Sequence, residues 1–278
     1  MAILGISIQS HTGIPLYLES WSEKLRAFRE GNPILIAGFL SALSSFANNY
    51  RQEIGYIRFL PTDFPDDVYG LDGIYSFIGE YMILCFTDPY QFHKMVHYKL
   101  QWIYNKILFK YEHMIRVGKV PNIPEVEKQF IRDILMDSVA WNHIDSKREQ
   151  LEIAADYIIE EEYPGDVYGC FITSFDNSIL FQYGMARDEI EIYINNIGSK
   201  GAGLKDGEIL HNYVTLPGLE PRLVVMTNSG LKIEISDILG DVVGEGAVPF
   251  YYYLITDANC SIGPIMESLT VKFNSVLI

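Results

Sequence analysis

The chain has 278 residues, of which 49% are hydrophobic, and its formal net charge is -15 at pH 7. This length allows two domains of ordinary size, and the apolar content is that of a globular protein with buried cores. The acidic balance, with a pI near 4.8, argues against a basic groove for nucleic acid and against direct adhesion to anionic lipid.

Three cysteines, Cys85, Cys170 and Cys260, lie far apart in or beside apolar runs. An odd number at wide spacing indicates small buried hydrophobic residues rather than a disulfide or metal framework. No stretch reaches the roughly 20 apolar residues of a membrane span, and the first residues lack the cationic start of a signal peptide. We therefore expect a cytoplasmic protein without cofactor or metal, and recruitment to membranes through a partner is left open.

Residues 1–143 predict a first domain with the order β-β-α-β-β-β-α-α. It starts with a hairpin around a polar turn at residues 11–14. Asn32 and Pro33 predict a helix start, since asparagine caps a helix and proline suits its first position. That helix is expected to continue to Asn49. The other strands are predicted over 53–61, 68–79 and 81–87, and the other helices over 90–116 and 125–141.

Residues 144–164 predict a helical connector, and 165–278 predict a second domain with the order β-β-α-β-β-β-α. A hairpin is again expected first, over residues 167–174 and 179–183. Helices are predicted over 186–197 and 263–277. The remaining strands are predicted near 213–216, 222–227, 231–235 and 249–256, with one of these as an extra short strand.

One sequence segment occurs twice in the chain, and its matching residues are separated by a constant offset. The segment that begins at Gly5 can be set on the segment that begins at Gly169. Like residues then coincide, as in the pairs Ile8 with Ile172, Ser10 with Ser174, Leu16 with Leu180, and Tyr17 with Phe181. This repeat predicts two related domains in tandem.

The element order resembles that of longin domains and is close to roadblock and profilin-like arrangements. The resemblance is carried by residues 5–19, 33–49, 54–87 and 92–141 in the first half. In the second half it is carried by residues 168–183, 188–197 and 213–277. It implies an α/β (α+β) fold with two longin-like domains, each a mainly antiparallel five-stranded sheet flanked by helices.

The resemblance also implies a function in membrane traffic or signalling. Longin and roadblock domains are scaffolds that bind small Ras-like GTPases, and tandem longin proteins assemble with a partner of similar build. This sequence has no coiled-coil segment or membrane anchor of the kind that vesicle-fusion longin proteins carry. The implied function is therefore that of a non-enzymatic adaptor, whose partner is a small GTPase or another longin or roadblock subunit.

Two groups of residues are candidates for partner binding. Ala37, Ser41 and Ser45 recur at helical spacing and would let a second helix approach closely. Tyr251 and Tyr253 alternate on one face of a predicted strand, and at a sheet edge they would form a recognition surface. Assembly into a homodimer is a further alternative.

Two segments invite a chemical interpretation that their spacing does not support. The glycine-rich loop over residues 198–207 lacks the Walker order and no buried strand directly precedes it, which favours a plain loop. His93 and His97 lie four residues apart on a helix, but Lys94 to Val96 between them lack the zincin glutamate. No third zinc ligand is evident near them, so a partly exposed helix face is the preferred interpretation.

Carboxylate clusters are also weak candidates. Residues 160–162 are contiguous glutamates, which point in different directions on a helix and do not form an acid and base pair. Asp63, Asp66 and Asp67 fall short of the EF-hand spacing. Two alternatives to the scaffold function stay open: a profilin-like or GAF-like module that senses a small ligand, and a hydrolase or transferase without a known motif.

Overall fold

The computed structural model describes residues 3–26, 30–60, 70–197, 201–216, 220–234 and 247–278. The aspartates proposed above for a cation, at 63, 66 and 67, lie outside these residues, as does the 198–200 start of the glycine-rich loop. The chain forms two compact units: unit 1 is Met1–Pro89 with Val96–Met136, and unit 2 is Tyr90–Met95 with Asp137–Ile278. Each unit contains a five-stranded antiparallel sheet flanked by helices, which confirms the expected α+β class.

The sheet of unit 1 has the strand order β2-β1-β5-β4-β3, and all its neighbours are antiparallel. Its strands are β1 (Ile3–Ser10), β2 (Pro15–Ser20), β3 (Tyr56–Phe59), β4 (Leu71–Ile78) and β5 (Tyr81–Thr87). A 3-10 turn lies at Glu23–Leu25, and the helices are α1 (Pro33–Asn49), α2 (His93–Ile103), α3 (Glu112–Arg116) and α4 (Glu125–Leu135). A π-helical turn (Tyr104–Leu108) and a 3-10 turn (Phe109–Tyr111) join α2 to α3.

Two helices of this half differ from their predicted bounds. The helix predicted from residue 90 begins at His93, and Asp88 before it is buried and pairs with Lys24 at 2.9 Å. The helix predicted to reach residue 141 ends at Leu135. Asp137 follows with a φ of +51°, a left-handed conformation that an α-helix does not contain.

The sheet of unit 2 repeats this arrangement as β7-β6-β10-β9-β8. Its strands are β6 (Val167–Thr173), β7 (Ile179–Tyr183), β8 (Ile209–Val214), β9 (Arg222–Glu234) and β10 (Ala247–Asp257). Its helices are α5 (Ser138–Ser146), α6 (Arg148–Asp156), α7 (Arg187–Ile197) and α8 (Ile262–Leu277), and a π-helical turn at Tyr157–Glu162 follows α6. The core lies between the sheet and α8, where Leu254, Leu269 and Phe273 are fully buried.

The strands predicted near 222–227 and 231–235 are in fact one strand, β9. Its pairing with β10 continues on both sides of a register shift, with Asn228 opposite Tyr251 and Lys232 opposite Pro249. A glycine inside a predicted strand commonly indicates that the strand ends, and Gly230 has a φ of +70°. The irregular pairing absorbs this conformation, so the ladder does not stop there.

The repeated segment is also a repeat of structure. In the first hairpin Ile8 pairs with Tyr17, and in the second Ile172 pairs with Phe181. A register shift follows directly in each, between Ile8 and Gln9 in β1 and between Ile172 and Thr173 in β6. Both hairpins therefore carry their irregularity at the same place in the repeat.

The two hairpin turns share a backbone hydrogen bond and a positive φ at the same position of the repeat. Ser10 and Ser174 each donate a backbone N–H across the turn, to Ile14 O and Ser178 O, and both distances are 2.9 Å. The turn position that needs a positive φ is Gly13 (+85°) in the first hairpin and Asn177 (+76°) in the second. Glycine and asparagine are the residues that tolerate this conformation best. The repeated segment thus forms two hairpins that share these backbone hydrogen bonds and the position of the positive φ.

Candidate partner-binding surfaces

Helix α1 contains no charged residue in its 17 positions. Asn32 caps it, since its Oδ1 accepts a hydrogen bond from Ile34 N at 3.0 Å. Its inner face buries Ala37, Leu40 and Ser44. A surface helix normally carries charged residues opposite such a face, and α1 does not.

The opposite side of α1 exposes large apolar side chains. Ile34, Phe39 and Phe46 are 67%, 57% and 62% exposed, and Tyr50 directly after the helix is 66% exposed. Gly38, Ala42 and Ser45 are exposed between them. We call these seven residues the α1 outer face. Fully covering a phenylalanine or isoleucine side chain contributes roughly 1.5–3 kcal/mol, so a partner that covered this face would gain several such contributions.

Two of the three small residues predicted to contact a partner helix instead contact other residues of unit 1. Ala37 is buried, and its carbonyl oxygen accepts a hydrogen bond from Gln9 Nε2 at 3.3 Å. Ser41 lies under the first hairpin turn, where a Cβ added to Gly13 would come within 2.8 Å of Ser41 Oγ. Only Ser45 is on the α1 outer face. The small side chains at positions 37 and 41 are thus explained by packing within the unit.

The predicted tyrosine surface is not at a sheet edge. Tyr251 and Tyr253 lie on β10, which has β6 on one side and β9 on the other, and both are buried. Tyr253 stacks on Phe171 with ring centroids 4.4 Å apart, and Tyr251 meets Phe92 edge to face at 5.8 Å. Burial raises the pKa of both phenols. Both rings are thus buried side chains of a central strand, which corrects the interpretation of them as a recognition surface.

The strands at the sheet edges are β2 and β3 in unit 1 and β7 and β8 in unit 2. In unit 2 the helices α5 and α6 pack against the edge strand β7. The other edge, β8, exposes Ile209 and Tyr213 by 43% and 61%. In unit 1 the edge strand β2 lies next to α1. An exposed edge offers unpaired backbone groups that an incoming strand can bond.

A cleft of about 180 Å³ opens beside β7 in unit 2. Its floor is formed by Ile179, Leu180 and Phe181, and its rim by Trp141, Arg148, Gln182 and Arg187. It is smaller and more charged than the deep apolar pocket that a ligand-sensing module would use. No sequence pattern pointed to it, because its rim comes from three separate segments of the chain.

The residues weighed for catalysis and metal binding have structural partners. His97 Nδ1 lies 2.6 Å from Ser76 Oγ, a contact that ties α2 to β4 inside unit 1. Glu162 accepts a hydrogen bond from Ser268 Oγ at 2.7 Å and pairs with Lys272 at 3.2 Å. Within the described ranges, no group of three or more His, Cys, Asp or Glu residues is placed to hold a metal ion. Cys85 and Cys170 are buried.

The fold defines the class of the chain: an α+β protein in which one five-stranded antiparallel topology occurs twice. No protein-family model matches the sequence, and no curated protein matches it significantly. In the part of the chain that the structure describes, the helices are all too short or too polar to cross a bilayer.

Proposed function

We propose that this chain is a non-enzymatic, longin-type scaffold that binds a small Ras-like GTPase or another longin or roadblock-type subunit through the α1 outer face. The observation that carries the proposal is the uncharged helix with three large side chains more than half exposed, and Tyr50 directly after it exposed to the same degree. Exposed apolar patches of this kind mark interaction sites in soluble proteins. Adaptor function in membrane traffic or signalling is the role that the repeated sheet topology supports best.

The charge distribution adds to this proposal. The chain carries 36 acidic and 21 basic residues, yet none lies on α1. Binding on α1 therefore requires no desolvation of charged side chains from this helix, which lowers the cost of association. Depletion of charge with enrichment of phenylalanine and tyrosine is the composition of an interface centre.

The edge strand β2 next to α1 offers a way to fix the orientation of a partner. Helix α1 contacts β2, an edge strand of the same sheet, so we propose that a partner on this helix extends to the outer backbone groups of that strand. Addition of a strand to β2 would fix the orientation of the partner by main-chain hydrogen bonds. The apolar face would then contribute affinity, and the strand edge would set the register.

The test is size-exclusion chromatography with light scattering, first on the chain alone and then with a panel of small GTPases in each nucleotide state. Nucleotide-dependent co-elution with one GTPase is the expected result. A mass of two chains without GTPase would show that the chain forms a homodimer. A monomer that ignores the whole panel in both nucleotide states would overturn the proposal.

A further inference from the structure

We infer that the outer side of α6 and of the π-helical turn after it binds a basic amphipathic helix of a partner protein, centred on Ile153 and Tyr157. This surface lies in unit 2 and is independent of the function proposed for the α1 outer face. We call it the α6 outer face, and it consists of Glu149, Glu152, Ile153, Asp156, Tyr157, Glu160 and Glu161.

Helix α6 and the turn after it form one continuous helical segment with a buried side and an exposed side. Tyr157 keeps helical backbone angles, with a φ of -56° and a ψ of -41°, so the segment continues from α6 into the turn. The inner side buries Leu151, Ala155 and Ile158 in the core of unit 2. The outer side exposes Ile153 and Tyr157 by 66% and 45%. Because these two side chains are four positions apart, they are neighbours on one helix face.

Acidic side chains surround this apolar pair. The segment 147–162 contains six acidic and two basic residues. Five of the acidic residues are exposed at helical spacing around the pair: Glu149, Glu152, Asp156, Glu160 and Glu161. In the part of the chain that the structure describes, none of these five forms an ion pair. The α6 outer face therefore carries negative charge that no ion pair neutralises.

The basic residues beside this face are paired with other carboxylates. Arg148 pairs with Asp145 at 2.9 Å. Lys272 pairs with Glu162 at 3.2 Å, and its Nζ lies 4.9 Å from the centroid of the Tyr157 ring. The ring of Tyr157 thus already accepts one ammonium group and still remains 45% exposed.

Three of the carboxylates act on one neighbouring phenol. Tyr183 Oη donates a hydrogen bond to Asp156 Oδ1 at 2.7 Å. This bond and burial raise the pKa of Tyr183, and the charges of Glu160 and Glu152 raise it further. The carboxylates at positions 152, 156 and 160 are therefore close enough to act together on a bound cation.

The charge and the spacing of this face define the partner. Anionic lipid and nucleic acid would be repelled by the carboxylates. Lysine and arginine side chains would be attracted, and their aliphatic stems pack on apolar surface such as Ile153. From Glu149 to Glu160 the acidic residues extend about 17 Å along the helix. A partner helix of about three turns presents lysines at the same helical repeat, with its apolar stripe against Ile153 and Tyr157.

The test is fluorescence anisotropy of a labelled peptide that is titrated with the full chain. The probe is a helical peptide of about 16 residues, with leucine along one side and lysine on both flanks. A shuffled peptide of the same composition, in which the leucines no longer share one side, is the first control. We expect the probe to bind, the shuffled peptide to bind about tenfold more weakly, and added salt to weaken binding of the probe.

Substitutions on the α6 outer face locate the binding site. Glu152→Lys with Glu160→Lys should weaken probe binding about tenfold or more, because two attractive charges become repulsive. Ile153→Asn should weaken it about tenfold, since the apolar anchor is lost. The matched control is Glu53→Lys with Glu220→Lys, which changes the net charge equally at two exposed carboxylates outside α6. This control should retain most of the binding.

Each of four results would overturn the inference. They are no binding of the probe up to about 1 mM, equal binding of the shuffled peptide, equal effects of the two double charge variants, and unchanged binding in Ile153→Asn. Loss of binding in Phe39→Ser with Phe46→Ser would place the probe on the α1 outer face and would contradict the inference as well. If Glu152→Lys with Glu160→Lys does not fold by circular dichroism, Ile153→Asn decides, since that side chain is 66% exposed.

Discussion

Asn177 gives the second hairpin turn side-chain hydrogen bonds that the first hairpin turn does not have at the same position. Its counterpart Gly13 only has to adopt a positive φ, whereas Asn177 does so and also bonds through its side chain. Asn177 Oδ1 accepts from Tyr253 Oη at 2.7 Å, and Asn177 Nδ2 donates to Tyr90 O at 2.9 Å. All three residues lie in unit 2, so this turn fastens the segment Tyr90–Met95 to the second sheet.

Two substitutions at position 177 separate these roles. Asn177→Gly keeps the turn conformation and leaves Tyr253 Oη and Tyr90 O without their partner, so a loss of about 1–3 kcal/mol is expected. Asn177→Ala suffers the same loss and adds about 1–2 kcal/mol for a left-handed alanine. Urea unfolding followed by circular dichroism measures both. An alanine variant as stable as the glycine variant would refute the conformational part of the explanation.

For single residues, the sequence correctly predicted the hairpin turns but not the burial of Tyr251 and Tyr253. The match of Ser10 with Ser174 located both hairpins, because turns depend on local backbone chemistry. The burial of Tyr251 and Tyr253 depends on which strands lie beside β10. That neighbourhood is set by residues far away in sequence, so alternation alone could not distinguish a core strand from an edge strand.

Helix α1 has a buried side and an exposed side, and the spacing of its small residues does not show which of them lie on which side. The stripe Ala37, Ser41 and Ser45 drifts from the buried side to the exposed side of the helix. Sequence analysis correctly predicted its bounds and its asparagine cap. It did not predict that the first hairpin turn lies on Ser41, because that contact joins elements distant in the chain.

Arginine at positions 41 and 45 should therefore have different effects. Ser41→Arg places a long charged side chain under the turn at Gly13, and we expect a loss of stability of about 2–4 kcal/mol. Ser45→Arg projects into solvent and should change the stability by less than about 0.5 kcal/mol. Thermal unfolding of the two variants side by side is the measurement. Equal melting temperatures would show that Ser41 is not packed as described.

The bounds of elements were less predictable than their order. The early end of α4 depends on the left-handed Asp137, and the continuity of β9 depends on its partner β10. Neither feature leaves a clear pattern in the local sequence. The order itself was predictable, since apolar periodicity and repeated turn residues are local signals.

The whole molecule contains 19 tyrosines, and several are buried in both units. Burial raises the pKa of Tyr253 well above its ordinary value of about 10. Burial and Glu112 together raise the pKa of Tyr104 to about 12. The folded state thus keeps protons that the unfolded chain releases near pH 10.

This difference predicts the alkaline limit of stability. The contribution of these phenols is complete below about pH 10 and declines above it, by up to about 1.4 kcal/mol per pH unit for each phenol that stays protonated. Urea midpoints should be lower at about pH 11 than at about pH 9. The part of the tyrosinate absorbance that comes from the buried phenols should rise together with unfolding. Full tyrosine ionisation near pH 10 with an unchanged circular dichroism spectrum would contradict the burial described here.

The α1 outer face is the centre of the proposed function, and one comparison of affinities tests it most directly. The double substitution Phe39→Arg with Phe46→Arg should weaken binding of the co-eluting partner at least about 100-fold, because it places two charges in an apolar interface. Val126→Arg is the control, since Val126 is 81% exposed in unit 1 and lies on α4. Titration of the partner onto each immobilised variant gives the affinities. We predict loss of binding in the α1 double variant and wild-type binding in Val126→Arg; wild-type binding in the α1 double variant, with its fold intact, would contradict the account.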